Sequence, residues 1–143
     1  VGTSDWTKLT ERLVAADLLT QESTRRIEMI WWFGRLIANT DMHLGNISFR
    51  VEKSGPSFAL APVYDMLPMA YAPLPGGEIP ALEFAPALPL PDQQLAWNEA
   101  SVAALQFWRQ AATDERITPA FRVTCATNAD LLEKQAALAK TRP

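Results

Sequence analysis

The stretch from residue 21 to residue 38 constrains the fold more than any other part of this sequence. Its apolar residues recur at helical spacing and form one stripe, and further large apolar residues widen that stripe. A helix that is apolar on nearly all sides has to be buried. Thr20 is a suitable N-cap, and Glu22 lies in the first turn, where a helix favours negative charge. The sequence therefore predicts a helix over 21–38 at the centre of the core.

The segments around this helix predict a mainly α fold with a small β-hairpin, in the α+β class. Residues 7–18 carry a helical stripe ahead of it. Two short alternating runs, 47–51 and 57–61, surround a Gly-Pro turn and predict the hairpin. Two more helices are expected near the end, one over 98–112 with its N-cap at Asn98, and one that opens at Thr118-Pro119.

A proline-rich segment, residues 67–94, separates the hairpin from these last helices. It carries seven of the eleven prolines. Because proline removes a backbone donor and fixes φ, we expect a long loop without regular structure. The apolar residues of this loop predict that it lies on the body of the domain: Leu82, Phe84, Leu88 and Leu90.

Composition and charge exclude several classes of protein. The length of 143 residues, 48% of them hydrophobic and 20% charged, predicts one globular domain over 1–143 rather than a disordered chain. A net charge of −3 argues against direct nucleic-acid contact. The longest apolar run, 29–34, is too short to cross a membrane. The single cysteine excludes an intramolecular disulfide and fits a cytoplasmic location.

Polar residues that follow the buried helix predict phosphoryl-transfer chemistry. Asp41 and Asn46 lie just before the first strand, and Asp65 follows the second. Strands of matched length would bring Asp65 back beside Asn46. Carboxylate and amide oxygens are ligands that Mg²⁺ prefers, together with water and phosphate oxygens. Protein kinases use the same order of residue types, an aspartate that receives the hydroxyl proton and then two Mg²⁺ ligands.

Two neighbouring residues are expected to support this loop. His43 would pin the turn through a backbone carbonyl, and Tyr64 would pack under the metal-binding turn. A structural alternative stays open for the polar residues, because Asp and Asn commonly shape turns. A zinc site is excluded, since one imidazole and one carboxylate are too few ligands.

Two motifs resemble the C-terminal lobe of the HipA-like kinases, nearest to the YjjJ/HipT branch. They are Thr-Asp-Met-His-Leu-Gly-Asn (40–46) and Leu-Ala-Pro-Val-Tyr-Asp-Met (60–66), which match both halves of the family pattern, Asp-x-His-x-x-Asn and Leu-x-Pro-x-Tyr-Asp. Members of this family are bacterial toxins of toxin–antitoxin modules with a protein-kinase-like fold. The resemblance covers about residues 21–70, and the later segments match only in layout.

The resemblance implies a function and a set of roles. Asp41 would be the catalytic aspartate, and Asn46 and Asp65 would bind Mg²⁺ and ATP. The ATP γ-phosphate would pass to a serine or threonine of a protein substrate, such as an aminoacyl-tRNA synthetase, with growth-regulating effect. The implied partner is a HipB-like antitoxin that binds operator DNA and so links the kinase to transcription regulation.

The chain also departs from the family pattern. HipA has a lysine where this chain has Gly45. A Gly-rich phosphate loop, a strand lysine and a partnering helix glutamate are missing, as expected if the N-terminal lobe is absent. The sequence also has no initiator Met and ends abruptly at Pro143. We therefore expect a piece of a longer protein, one that folds but is inactive alone.

Two other functions stay open. Small-molecule phosphotransferases of the aminoglycoside-kinase or choline-kinase type share the pattern Asp-x-His-x-Gly-Asn, but they normally have a histidine where this chain has Asn39. The other alternative is a non-catalytic binding module associated with a transcription regulator. Binding of nucleotide that depends on Mg²⁺ would separate either kinase from that module.

Overall fold

A computed structural model describes residues 5–53 and 57–141 of the protein. Within these ranges, four helices and one antiparallel hairpin follow in the predicted order, which confirms the mainly α fold with a small β-hairpin. The protein-kinase-like lobe and the single domain over 1–143 stay predictions. The bounds are α1 Asp5–Ala15, α2 Gln21–Leu36, β1 Phe49–Val51, β2 Phe58–Leu60, α3 Gln94–Thr113 and α4 Pro119–Thr141.

Helix α2 begins as predicted, with the Thr20 hydroxyl accepting the Ser23 backbone N–H at 3.1 Å. It ends at Leu36, two residues before the predicted end, because Ala38 adopts a left-handed conformation with φ of 60°. The backbone N–H of Asn39 then donates to the Gly34 carbonyl at 2.8 Å. This is a Schellman ending, which turns the chain sharply away from the helix axis.

The hairpin pairs Phe49 with Leu60 and Val51 with Phe58. Its second strand is anchored to the α1–α2 connection, where the Phe58 backbone N–H donates to the Leu18 carbonyl at 2.7 Å. The predicted Gly-Pro turn falls on residues 54–56, outside the described residues. Because the two strands have equal length, the segments before β1 and after β2 meet at the same end of the hairpin.

The main core lies between α2, α3 and α4. Trp97 and Trp108 of α3 are fully buried there, together with Leu132 of α4. The Trp108 indole N–H donates to the Leu36 carbonyl at 2.9 Å, which satisfies one of the open carbonyls at the end of α2. Helix α2 is therefore held on one side by α3, and a second cluster around Ile27 joins its other side to α1 and the hairpin.

The proline-rich segment lies against α3 and α4 as a strap. It is irregular over most of its length, as predicted. The Trp97 indole N–H donates to the Ala87 carbonyl at 2.9 Å, and the Gln135 amide donates to the Pro86 carbonyl at 3.0 Å. The Phe84 ring packs edge-on against Trp108. The other expected contacts are only partly confirmed: Leu88 is half-buried, whereas Leu82 and Leu90 are exposed.

The start of α3 was predicted wrongly. The helix begins at Gln94 rather than after Asn98, because a 3-10 turn at Pro91–Gln93 leads directly into it. Asn98 lies inside the first turns, where its side-chain oxygen accepts the Gln94 amide at 2.8 Å. The long loop predicted over 67–94 also contains a short 3-10 turn at Met69–Tyr71. None of the helices in the described part of the chain has the length and apolarity that crossing a bilayer requires.

We predict that Ala38→Gly stabilises the protein by roughly 0.5–1 kcal/mol, because glycine adopts the left-handed conformation without the steric cost that a Cβ adds. Urea denaturation measures the change in the free energy of unfolding. Ala126→Gly, at an exposed site within α4, is the control and should lower stability by about 1 kcal/mol. A loss of stability in both variants would contradict this reading of the α2 ending.

The buried Cys125 thiol should make the stability of the protein depend on pH. It is fully buried in the core, and burial raises its pKa to about 11. An unfolded thiol ionises near pH 9, so the unfolded state loses its proton first and stability should fall as the pH rises from about 9 to about 11. Urea midpoints at several pH values measure this fall, and Cys125→Ser should make it shallower. Rapid reaction of the native thiol with a disulfide reagent at pH 8 would contradict its burial.

Candidate functional site

Asn39 connects the two loops that carry the predicted site residues. It is the last residue of the Schellman ending of α2, and only 8% of it is exposed. Its side-chain amide donates to the Asp65 carbonyl at 3.0 Å, and its side-chain oxygen accepts the Asp41 backbone N–H at 2.9 Å. One buried side chain thus fixes the backbone of both aspartates.

Asn46 and Asp65 meet as the sequence predicted. Asn46 ends the 3-10 turn Leu44–Asn46, is buried, and accepts the His43 backbone N–H on its side-chain oxygen at 3.2 Å. Its amide nitrogen donates to the Asp65 carboxylate at 3.3 Å across 19 residues of sequence. Asp65 has a φ of 55°, a left-handed conformation that aspartate tolerates better than most residues. This brings an amide and a carboxylate together at the end of the hairpin.

Asp41 and His43 lie at the surface beside this pair. Their side chains are 60% and 59% exposed, and His43 Nε2 lies 3.9 Å from an Asp41 carboxylate oxygen. His43 supports the turn differently from the prediction: its Nδ1 accepts the Gly45 backbone N–H at 3.0 Å instead of bonding a carbonyl. A Cβ on Gly45 would lie 2.7 Å from the imidazole, so the glycine makes room for the ring.

Tyr64 was predicted to pack under the turn, and this is wrong because its side chain is 42% exposed. It supports the loop from the outside through its hydroxyl, which donates to the Gly45 carbonyl at 2.5 Å. The same hydroxyl lies 3.1 Å from Ser48 Oγ, at the start of the hairpin. Tyr64 therefore ties the loop after β2 to the loop before β1.

Both site loops rest on α2 at one glycine. A Cβ on Gly34 would clash with Met42 Sδ and lie 3.0 Å from Met66 Cε, so a methionine from each loop uses the space that Gly34 leaves. The Trp6 indole N–H of α1 braces the first loop by donating to the His43 carbonyl at 2.8 Å. Asn39 and Trp6 were missed as positioning residues. The position of Asn39 next to the helix end was an available signal, whereas Trp6 lies too far away in sequence to have given one.

The oxygen ligands at this site suit a cation that retains some of its bound water molecules. Within the described residues, no three His, Cys, Asp or Glu side chains gather in a metal-binding arrangement. The Asn46 and Asp65 pair supplies one amide oxygen and one carboxylate, too few for zinc. Mg²⁺ commonly takes one or two carboxylates and completes its shell with water and phosphate oxygens, which this pair fits.

We predict that Asn39→Ala lowers the free energy of unfolding by about 1–3 kcal/mol, because it removes the two hydrogen bonds that this buried side chain makes with the backbone of Asp41 and Asp65. Chemical denaturation measures the loss. Asn98→Ala removes a single side-chain bond within α3 and is the control, with an expected loss below about 1 kcal/mol. Equal losses in the two variants would show that Asn39 does not hold the loops.

Comparison with known proteins places the chain in a family. The sequence model of the family described as "HipA-like C-terminal domain" matches residues 2–137. The chain is 47% identical over 117 residues to the protein named Toxin YjjJ of Escherichia coli strain K12, an alignment that covers 82% of this chain. The chain spans only about a quarter, 26%, of the length of that relative. No solved structure gives a significant match. With nearly its whole length matched, this chain belongs to the family of HipA-like C-terminal domains.

Proposed function

We propose that this chain is the C-terminal lobe of a HipA-like serine/threonine protein kinase with a toxin-like role. The observation that carries the proposal is the contact between Asn46 and Asp65, 3.3 Å apart across the hairpin, on the same loop system as Asp41. Family membership and the similarity to a protein named as a toxin support the same conclusion.

Asp41 has the placement that a catalytic base needs. Its carboxylate is largely exposed, so a substrate hydroxyl has access to it, while its backbone is fixed by Asn39. As the hydroxyl oxygen bonds to the γ-phosphorus and the bond to ADP breaks, Asp41 accepts the hydroxyl proton. The neighbouring imidazole of His43 lies 3.9 Å away and belongs to the support of the loop.

Asn46 and Asp65 have the chemistry of nucleotide and Mg²⁺ ligands. The Asn46 side-chain oxygen accepts one backbone N–H and has a second lone pair for a cation. Asp65 contributes negative charge beside it. When bound, Mg²⁺ would supply charge that stabilises the β- and γ-phosphate oxygens. The Asn46 and Asp65 side chains would hold the ion, since their own hydrogen bonds fix their positions.

The substrates and partners belong to the same proposal. The acceptor is a serine or threonine on a protein, such as an aminoacyl-tRNA synthetase, and the regulatory partner is a HipB-like antitoxin. The 143-residue chain alone should not transfer phosphate, because the phosphate loop and the lysine and glutamate that complete a kinase site are not among its motifs.

The activity test uses the full-length protein that contains this chain, incubated with γ-labelled ATP and Mg²⁺ in a cell extract. We expect labelled protein, and Asp41→Asn should reduce the label at least about a hundredfold, since it removes the base. Asp130→Asn, at an exposed site on α4, removes the same charge and should leave the label unchanged. Labelled small molecules would indicate a small-molecule phosphotransferase instead.

A binding measurement on the same proteins separates the roles of the two aspartates. Asp65→Asn should abolish nucleotide binding that depends on Mg²⁺, whereas Asp41→Asn should retain it. If neither label nor Mg²⁺-dependent binding responds to these changes, the kinase proposal is overturned and a non-catalytic binding module remains.

A further inference from the structure

The imidazole of His43 is held in place although it lies at the surface. Its backbone is fixed on both sides, because the N–H donates to the Asn46 side-chain oxygen at 3.2 Å and the carbonyl accepts the Trp6 indole N–H at 2.8 Å. The ring itself is fixed at Nδ1, which accepts the Gly45 backbone N–H at 3.0 Å. Only a residue without a Cβ leaves room for the ring at position 45. The other ring nitrogen, Nε2, is therefore held in a defined place.

The contact with Gly45 also decides which nitrogen of the imidazole carries the proton. A nitrogen that accepts a backbone N–H has no proton of its own, so the neutral ring carries its proton on Nε2. In this state Nε2 donates hydrogen bonds and does not take up the proton of a substrate hydroxyl. His43 is thus a donor, and the role of proton acceptor is left to Asp41.

This donor lies beside the proposed base. Nε2 is 3.9 Å from an Asp41 carboxylate oxygen, about 1 Å more than a normal N–H···O bond. Within residues 5–53 and 57–141, no other side chain or backbone group bonds the Asp41 carboxylate. Catalytic hydrogen bonds are often long before substrate binds and shorten in the complex. The contact with His43 is therefore the one that can restrain this carboxylate.

The position of Asp41 leaves a need for such a restraint. Asn39 fixes the Asp41 backbone, but the carboxylate still turns about the side-chain bonds. A base that has to be directed at a hydroxyl is normally oriented by a third group. Residues 37–48 and 61–70, which include both site loops, contain no lysine or arginine for this purpose. His43 is the group with a proton in the right place.

From these contacts we infer that His43 is a positioning residue for the Asp41 carboxylate. In the complex with nucleotide and acceptor, the Nε2–H donates to one carboxylate oxygen and leaves the other directed at the acceptor hydroxyl. Asp41 takes the hydroxyl proton on that second oxygen, and His43 keeps its own proton throughout. The inference rests on the proposed function and gives the imidazole a part in the reaction in addition to its support of the loop.

Two amide variants separate the two nitrogens of the ring. In His43→Asn, the side-chain oxygen replaces Nδ1 as the acceptor for the Gly45 N–H, and nothing replaces Nε2. In His43→Gln, the longer side chain carries an amide N–H to the place of Nε2, and the acceptor at Nδ1 is lost. The full-length protein is assayed with γ-labelled ATP and Mg²⁺ in a cell extract. The maximal labelling rate and the ATP concentration that gives half of it are measured, together with stability in urea.

We expect His43→Asn to lower the maximal labelling rate at least about fivefold, which is the loss of one hydrogen bond to a charged group. The ATP concentration for half of that rate and the urea midpoint should stay unchanged, because Asn46 and Asp65 are not disturbed. His43→Gln should be less stable than His43→Asn and should nevertheless label protein faster. A role confined to loop support predicts the opposite order of rates.

The assay distinguishes failure of this inference from failure of the kinase proposal. An unchanged rate in His43→Asn, or a rate in His43→Gln that is no higher than in His43→Asn, overturns the inference while label that depends on Asp41 keeps the kinase proposal. The control for that dependence is Asp41→Asn in the same extract. If the unmodified protein gives no label that Asp41→Asn removes, the kinase proposal is overturned and the inference with it.

Discussion

The arrangement of the candidate site depends on the two hydrogen bonds of one buried side chain, that of Asn39. It contacts the backbone of Asp41 on one side and of Asp65 on the other, 24 residues apart in sequence. The left-handed turn at Ala38 aims the chain so that this is possible. A parallel contact, from the Ala70 backbone N–H to the Ala38 carbonyl at 3.0 Å, extends the same connection along the next segment.

This arrangement separates the groups that hold the loops from the groups available for chemistry. Asn39, Trp6 and Gly34 are buried and fix backbone positions. Asp41 and Asp65 present carboxylates at the exposed ends of the same loops. Reactive groups on a rigid support keep their geometry without having to be buried themselves. The stability of the helix ending and the placement of the aspartates are therefore linked.

Much of this fold followed from local signals in the sequence. The apolar periodicity and the Thr20 cap predict the position and burial of α2, since both act within a few residues. The matched strand lengths also predict that Asp65 returns to Asn46, which the contact at 3.3 Å confirms. The roles of these residues in catalysis remain predictions that the proposed assays address.

The failures of prediction came from contacts that local patterns do not contain. Asn98 looked like a cap, but the turn at Pro91–Gln93 had already started α3. Tyr64 is aromatic and suggested packing, yet its hydroxyl bond to Gly45 is what positions it. The brace from Trp6 to His43 spans 37 residues and depends on how α1 lies against α2. Such contacts are set by tertiary packing and not by the neighbours in sequence.

The proline-rich strap has a consequence for protein engineering. It contacts the body at two places, at the buried Tyr71 and near Phe84, Pro86 and Ala87. Residues 72–79, which lie between these places, are exposed. Exposed loop tips tolerate inserted sequence better than any other part of a domain. Residues 72–79 are therefore the natural place to insert an affinity tag or a fluorescent label in this protein, because the insertion leaves the anchored part of the strap and both site loops in place.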